Sequence, residues 1–252
     1  MALAHTTRVF DFDLQQLARA IAEMGGLAEW QTCMAIEALT TRDDGLAWRV
    51  VAADTTIDAM QHSIEERAIE TIVRRQPVAG DLRQIISILR IAAEIERTGD
   101  LAKNISKRII AIHGEDLPQR SIRGMSHLAT LMLTQLHDVL DAFATSNVGL
   151  AIDVWTRDQD VDRLCTSLFR DLLGRMMENS IKMSLGTHLL FCTKNFERMG
   201  DHATNIAEAV HYMVIGETLS RERPKADLTS TLSVVHAGAV ESARLRCAIE
   251  HI

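Results

Sequence analysis

The chain has 252 residues, 47% of them hydrophobic but only 4% aromatic, enough to bury a sizeable core of Leu, Ile, Val, Ala and Met. Its formal net charge of −7, with no dense run of Lys and Arg, excludes the electrostatic footprint of a duplex-binding protein. Three prolines and thirteen glycines leave long stretches without a breaker, and the abundant Ala, Leu, Glu and Arg set an all-α expectation.

The first ten residues have no apolar signal-peptide region, and no segment approaches the roughly 18 uninterrupted apolar residues of a bilayer span, so a cytoplasmic location is expected. Helical periodicity predicts a first helix from Asp11 to about Arg42, with Leu14, Leu17, Ala18, Ile21, Met24, Leu27 and Ala28 at core spacing. Gly25-Gly26 reads as an interruption that bends it. A second helix runs from about Gly45 to Val73, with Val50, Ile57, Ile64, Ala68 and Ile72 inward, and Pro77 stops it at or before Gln76. A third spans about Ala79 to His113, and Gly114 and Pro118 supply the cap and stop signals after it. The next three helices are placed at about Ser121 to Ser146, Val148 to Glu178 and Ile181 to Gly216. Pro224 breaks the helical pattern beyond Glu217, so a loosely attached or partner-dependent C-terminal segment is expected there.

An internal repeat organises these elements. Glu96-Arg-Thr-Gly-Asp-Leu-Ala-Lys-Asn-Ile-Ser106 matches Glu197-Arg-Met-Gly-Asp-His-Ala-Thr-Asn-Ile-Ala207 at seven of eleven positions, too many for coincidence at a fixed offset of 101. Upstream, the segment from Val50 to Asp58 aligns with that from Val154 to Asp162 at an offset of 104, and a shorter interhelical connection in the second half would absorb the difference of three. The division is residues 1–116 and 117–217, each an up-down-up three-helix bundle, with residues 218–252 as an extension.

Each half carries carboxylates four residues apart: Asp54 with Asp58 and Glu96 with Asp100, then Asp158 with Asp162 and Glu197 with Asp201. Neighbouring like charges on a helix repel by a few tenths of a kcal/mol, so a single pair reads as a solvated acidic face. The recurrence of two pairs on adjacent antiparallel helices, with Asn104 and Asn205 one turn further on, points instead to an oxygen-rich site for a hard cation in each half. Mg²⁺, Mn²⁺, Zn²⁺ and, through bridging carboxylates, iron all suit such donors. Gly99 and Gly200 read as helix-packing glycines, and Arg97 and Arg198 as partners of nearby carboxylates, since no glycine-rich loop accompanies them.

His202 follows Asp201, but Leu101 holds the matching place in the first half, which weakens it as a ligand. Glu208 and His211 form a single E-x-x-H, where a ferritin-like di-iron site needs two. Cys33, Cys165, Cys192 and Cys247 lack metal or disulfide spacing and read as buried free thiols. No Ser/His/Asp arrangement, phosphate-binding loop or dinucleotide fingerprint is visible, which favours a protein that is not an enzyme.

With Gln76-Pro77-Val-Ala79-Gly-Asp81-Leu82-Arg83 and the two Glu-Arg-x-Gly-Asp segments, the chain resembles the PhoU family over roughly residues 8–218. The resemblance implies two tandem three-helix bundles with metal clusters held by the E/D-x-x-x-D pairs, here Asp54, Asp58, Glu96, Asp100, Asp158, Asp162, Glu197 and Asp201. It also implies a bacterial negative regulator of the phosphate-starvation response that links the ATPase of the phosphate-specific ABC transporter to a sensor histidine kinase. Such a protein is expected to be a homodimer. With no basic amphipathic helix of its own, it would reach the inner membrane through protein partners. Thr98 and Met199 depart mildly from the family's aliphatic residue, and the tail after Glu217 has no recognised counterpart. The alternative reading from the acidic pairs and Glu208-x-x-His211 is a carboxylate-bridged di-metal enzyme or metal-storage bundle.

Overall fold

Six helices account for nearly all of the computed structural model, which describes residues 2–219 and 225–229, with side chains from Phe10 onward. They are α1 (Ala2–Thr41), α2 (Asp44–Arg75), α3 (Gly80–Ala111), α4 (Gln119–Thr145), α5 (Val148–Met177) and α6 (Met183–Ile215). No strand occurs among the described residues, and no described helix is long and apolar enough to cross a membrane.

The repeat is visible in the connections. Arg42 and Ser146, both in the left-handed region, end α1 and α4 (φ 61° and 52°). Asp43 and Asn147 then cap α2 and α5, each side chain accepting from the N–H three residues on, Leu46 and Leu150, at 3.1 Å. Such tight links force antiparallel neighbours. The helices of each repeat pack together, and the repeats join where α3 lies against α6 and α1 against α4.

The apolar core is not divided by repeat. One cluster draws on all six helices and contains Ile21, Ile57, Ile91, Val139, Val154 and Val210. The other also draws on all six, through Leu39, Val50, Ile105, Met132, Leu172 and Phe196. Between them each half contributes buried polar side chains: Gln31, Thr32, Asp54 and Thr98 from the first, Gln135, Asp158, Glu197 and Thr204 from the second. The bundle therefore has a polar waist.

Three details differ from the sequence expectation. Helix α1 begins at Ala2 and passes unbroken through Gly25-Gly26, where a Cβ on Gly25 would stand 2.8 Å from Leu140 Cδ1, so this glycine serves close approach of α4. The connection between the second and third helices is longer in the second half (178–182) than in the first (76–79). The offset of three is absorbed by helix length: α5 has 30 residues against 32 in α2, and Glu197 follows the start of α6 sooner than Glu96 follows that of α3.

The two glycines should respond oppositely to substitution. Gly26 is exposed with nothing near its would-be Cβ, so Gly26→Ala should raise the unfolding free energy by ~0.5–1 kcal/mol. Gly25→Val should lower it by ~1–3 kcal/mol through overpacking against Leu140, and urea unfolding of both variants measures the pair.

Candidate functional site

The acidic pairs sit at the waist, where burial makes bare charge costly. In the first half Asp54 and Asp58 come from α2, Glu96 and Asp100 from α3, and Asp54 is the deepest at 6% exposure. Lys103, one turn beyond Asp100, donates to Asp54 Oδ2 at 2.6 Å and to Asp100 Oδ1 at 2.5 Å. Burial works against its charge, but these two hydrogen bonds outweigh it and hold the ammonium above the usual lysine range. Glu96 lies above the ordinary carboxylate range, first through burial and then through the neighbouring Asp100 and Asp58. Asp54 Oδ1 is buried without a hydrogen bond.

The second cluster is deeper, with Asp158, Asp162 and Glu197 at 1%, 2% and 4% exposure and Asp201 half-buried. Thr204 stands where the first half has Lys103, so the countercharge comes from elsewhere. Lys194 Nζ lies 2.9 Å from Glu197 Oε2 and 2.6 Å from Asp227 Oδ2, while Lys225 Nζ lies 3.8 Å from Asp201 Oδ1. The Ala226 N–H donates to Asp162 Oδ2 at 2.7 Å, and the Leu228 N–H to Thr166 Oγ1 at 3.1 Å. Burial pushes Glu197 up to about 7, with Lys194 opposing and Asp201 adding to the rise. Asp227 falls below the ordinary range in spite of burial, because Lys194 and the Thr229 N–H hydrogen-bond its carboxylate. The C-terminal segment expected to be loose is thus docked over residues 225–229; residues 220–224 and 230–252 of that expectation lie outside the described residues.

The two asparagines do not join these clusters in the same way. Asn104 is exposed, and Asn205 turns across the repeat interface to donate to Glu94 Oε2 at 2.9 Å. His202 Nδ1 meets the same oxygen at 2.7 Å, and Arg97 donates to Glu94 Oε1 at 3.0 Å. Burial would raise Glu94, but the bonds from His202 and Asn205 prevail and lower it. Glu208 accepts from Trp155 Nε1 at 3.0 Å and His211 Nδ1 pairs with the Glu217 carbonyl, so the E-x-x-H residues serve local packing. Cys165 and Cys192 are buried, their thiols pushed up to about 12 chiefly by desolvation, whereas Cys33 is exposed, against expectation; Cys247 lies outside the described residues.

Gln31 and Gln135 escaped notice in the sequence. Both are buried beneath the clusters, and their Oε1 atoms stand 3.0 and 3.3 Å from where a Cβ would project from Gly99 and Gly200. Their separation equals the offset of 104 between Asp54 and Asp158, a signal that was available. The two glycines pack as expected: a Cβ on Gly99 would also meet Ile57, and one on Gly200 would meet Asp158 and Val161.

The donor chemistry, carboxylates with an orphaned oxygen on Asp54, suits a hard cation. Among the described residues, however, no three His, Cys, Asp or Glu side chains converge closely enough to hold one, and lysine ammonium groups take the position of countercharge.

Residues 21–109 and 125–210 match the family model described as "PhoU domain", one match per repeat. The chain belongs to the PhoU family. A relative from Rhizobium meliloti (strain 1021), named phosphate-specific transport system accessory protein PhoU homolog, is 49% identical over 235 residues, covering 93% of this chain and 99% of the relative. One of the same name from Caulobacter vibrioides (strain NA1000 / CB15N) is 43% identical over 226 residues, covering 90% and 98%. The crystal structure of PhoU from Pseudomonas aeruginosa superposes with a TM-score of 0.80 at 36% identity, covering 82% of this chain and all of that one. That of the phosphate transport system regulatory protein PhoU from Streptococcus pneumoniae gives 0.78 at 26% identity, covering 84% of this chain. The all-α expectation and the resemblance are both borne out.

In chelator-treated protein, Lys103→Met should lose ~1–3 kcal/mol by leaving Asp54 and Asp100 unbalanced, and adding Asp54→Asn should recover part of that loss in urea unfolding. Because Glu197 keeps its proton in the folded state up to about 7, while the unfolded chain releases it near 4.5, stability should fall as pH rises between those values. Glu197→Gln should flatten this part of the stability profile.

Proposed function

We propose that this PhoU-family chain is a non-catalytic negative regulator of the phosphate-starvation response, coupling the phosphate ABC transporter's ATPase to a sensor histidine kinase. The observation that carries this reading is the doubled acidic waist on a frame shared with phosphate-system accessory proteins at up to 49% identity over nearly the full chain. A protein with this role would be cytoplasmic, a homodimer, and held at the inner membrane by its partners. Coupling needs two states to which each partner binds with different affinity. The α3–α6 contact between repeats, bridged by Glu94 with His202 and Asn205, is a joint whose geometry such partners could bias.

Metal enters the reading as a cation at each waist cluster. The residues that would hold it, drawn closer together than they stand in this structure, are Asp54, Asp58, Glu96 and Asp100, and Asp158, Asp162, Glu197 and Asp201. Mg²⁺, Mn²⁺, Zn²⁺ or iron would supply the countercharge that Lys103 and Lys194 give in this structure. The enzyme or storage alternative loses its E-x-x-H motivation, since Glu208 and His211 turn to Trp155 and Glu217.

Deleting the gene in the source bacterium should derepress a phosphate-starvation phosphatase reporter in phosphate-rich medium, and the wild-type gene should restore repression. Unchanged reporter output on deletion would overturn the assignment.

A further inference from the structure

The contacts that hold residues 225–229 are peculiar to the second half. Thr166 and Lys194 stand where the repeat places His62 and Ala93 in the first half, so the second cluster alone carries both side chains that grip this segment beside the carboxylates. The grip is regular. Alternate N–H groups, those of Ala226 and Leu228, donate to Asp162 and Thr166, four residues apart on α5. In an extended chain alternate N–H groups face one side about 6–7 Å apart, and side chains four apart on a helix are separated by about 6 Å, so the two spacings match. Charge fixes the register, with Lys225 toward Asp201 and Asp227 on Lys194.

The segment adds little to the core. Leu228 is 54% exposed and the Lys225 side chain 61%, so the attachment is polar and lacks an apolar anchor. Backbone donors are common to any peptide, and only a lysine two residues before an aspartate is asked of the sequence.

We propose that the second acidic cluster is a peptide-binding groove for extended segments of Lys-x-Asp chemistry, in which residues 225–229 are an internal ligand that a partner protein's segment displaces. The groove is read from its contacts and not from any bound metal. A tethered segment competes at an effective concentration of roughly millimolar, so the wild-type chain masks its groove from weak binders.

The test uses the full-length chain with Lys225→Ala and Asp227→Ala, changes outside the six helices, and a fluorescent peptide of residues 223–230 as probe. Hydrogen exchange should find the Ala226 and Leu228 amides protected in the wild type and released in the double variant. The probe should bind the double variant at least tenfold more tightly than the wild type, and adding Thr166→Val should weaken that binding. A second variant, Ala226→Pro, removes one donor and no cluster side chain, and should likewise unmask the groove. Unprotected amides in the wild type would overturn the proposal, as would a released variant that binds the probe no better than wild type, or binding indifferent to exchanging Lys and Asp in the peptide.

Discussion

Carboxylates buried at mid-height in a helical bundle impose the constraint to which the rest of this molecule answers. Removing a charge from water costs several kcal/mol unless a partner compensates, and the waist holds Asp54, Asp158, Asp162 and Glu197 at 6% exposure or less. The two halves meet the demand differently. In the first, Lys103 on the same helix as Asp100 closes the pair locally. In the second, Thr204 replaces that lysine, and Lys194, Lys225 and the Ala226 N–H of the C-terminal segment take over.

The same constraint orders the packing around it. Apolar side chains form two clusters, one on each side of the waist, and each is built from all six helices, so neither repeat has a core of its own. Gly99 and Gly200 let α2 and α5 come close where the polar layer is crowded, with Gln31 and Gln135 filling the space beneath. Glu94, His202 and Asn205 then tie α3 to α6 across the pseudo-repeat.

Much of this was legible in the sequence, for identifiable reasons. Apolar residues at helical spacing placed all six helices, and the Glu-Arg-x-Gly-Asp repeat placed both carboxylate sets, because periodicity and duplication are properties of sequence alone. The features that escaped depend on three-dimensional juxtaposition. Gly25-Gly26 looks like a helix breaker until Leu140 is seen above it. A repeat-based reading discards residues without a counterpart, which hid the role of Lys194, Thr166 and residues 225–229 in the second cluster. Asn205 repeats Asn104 in sequence, yet only Asn205 has Glu94 within reach.

The cation proposed for each waist cluster would take over carboxylates that Lys103 and Lys194 neutralise in this structure. Elemental analysis of full-length protein purified without chelator, wild type beside Glu96→Gln with Asp100→Asn, tests that claim most directly. The account predicts bound metal in the wild type that falls in the variant. Equal metal in both, or none above background in either, would contradict it and leave the carboxylates as partners of Lys103, Lys194 and the C-terminal segment alone.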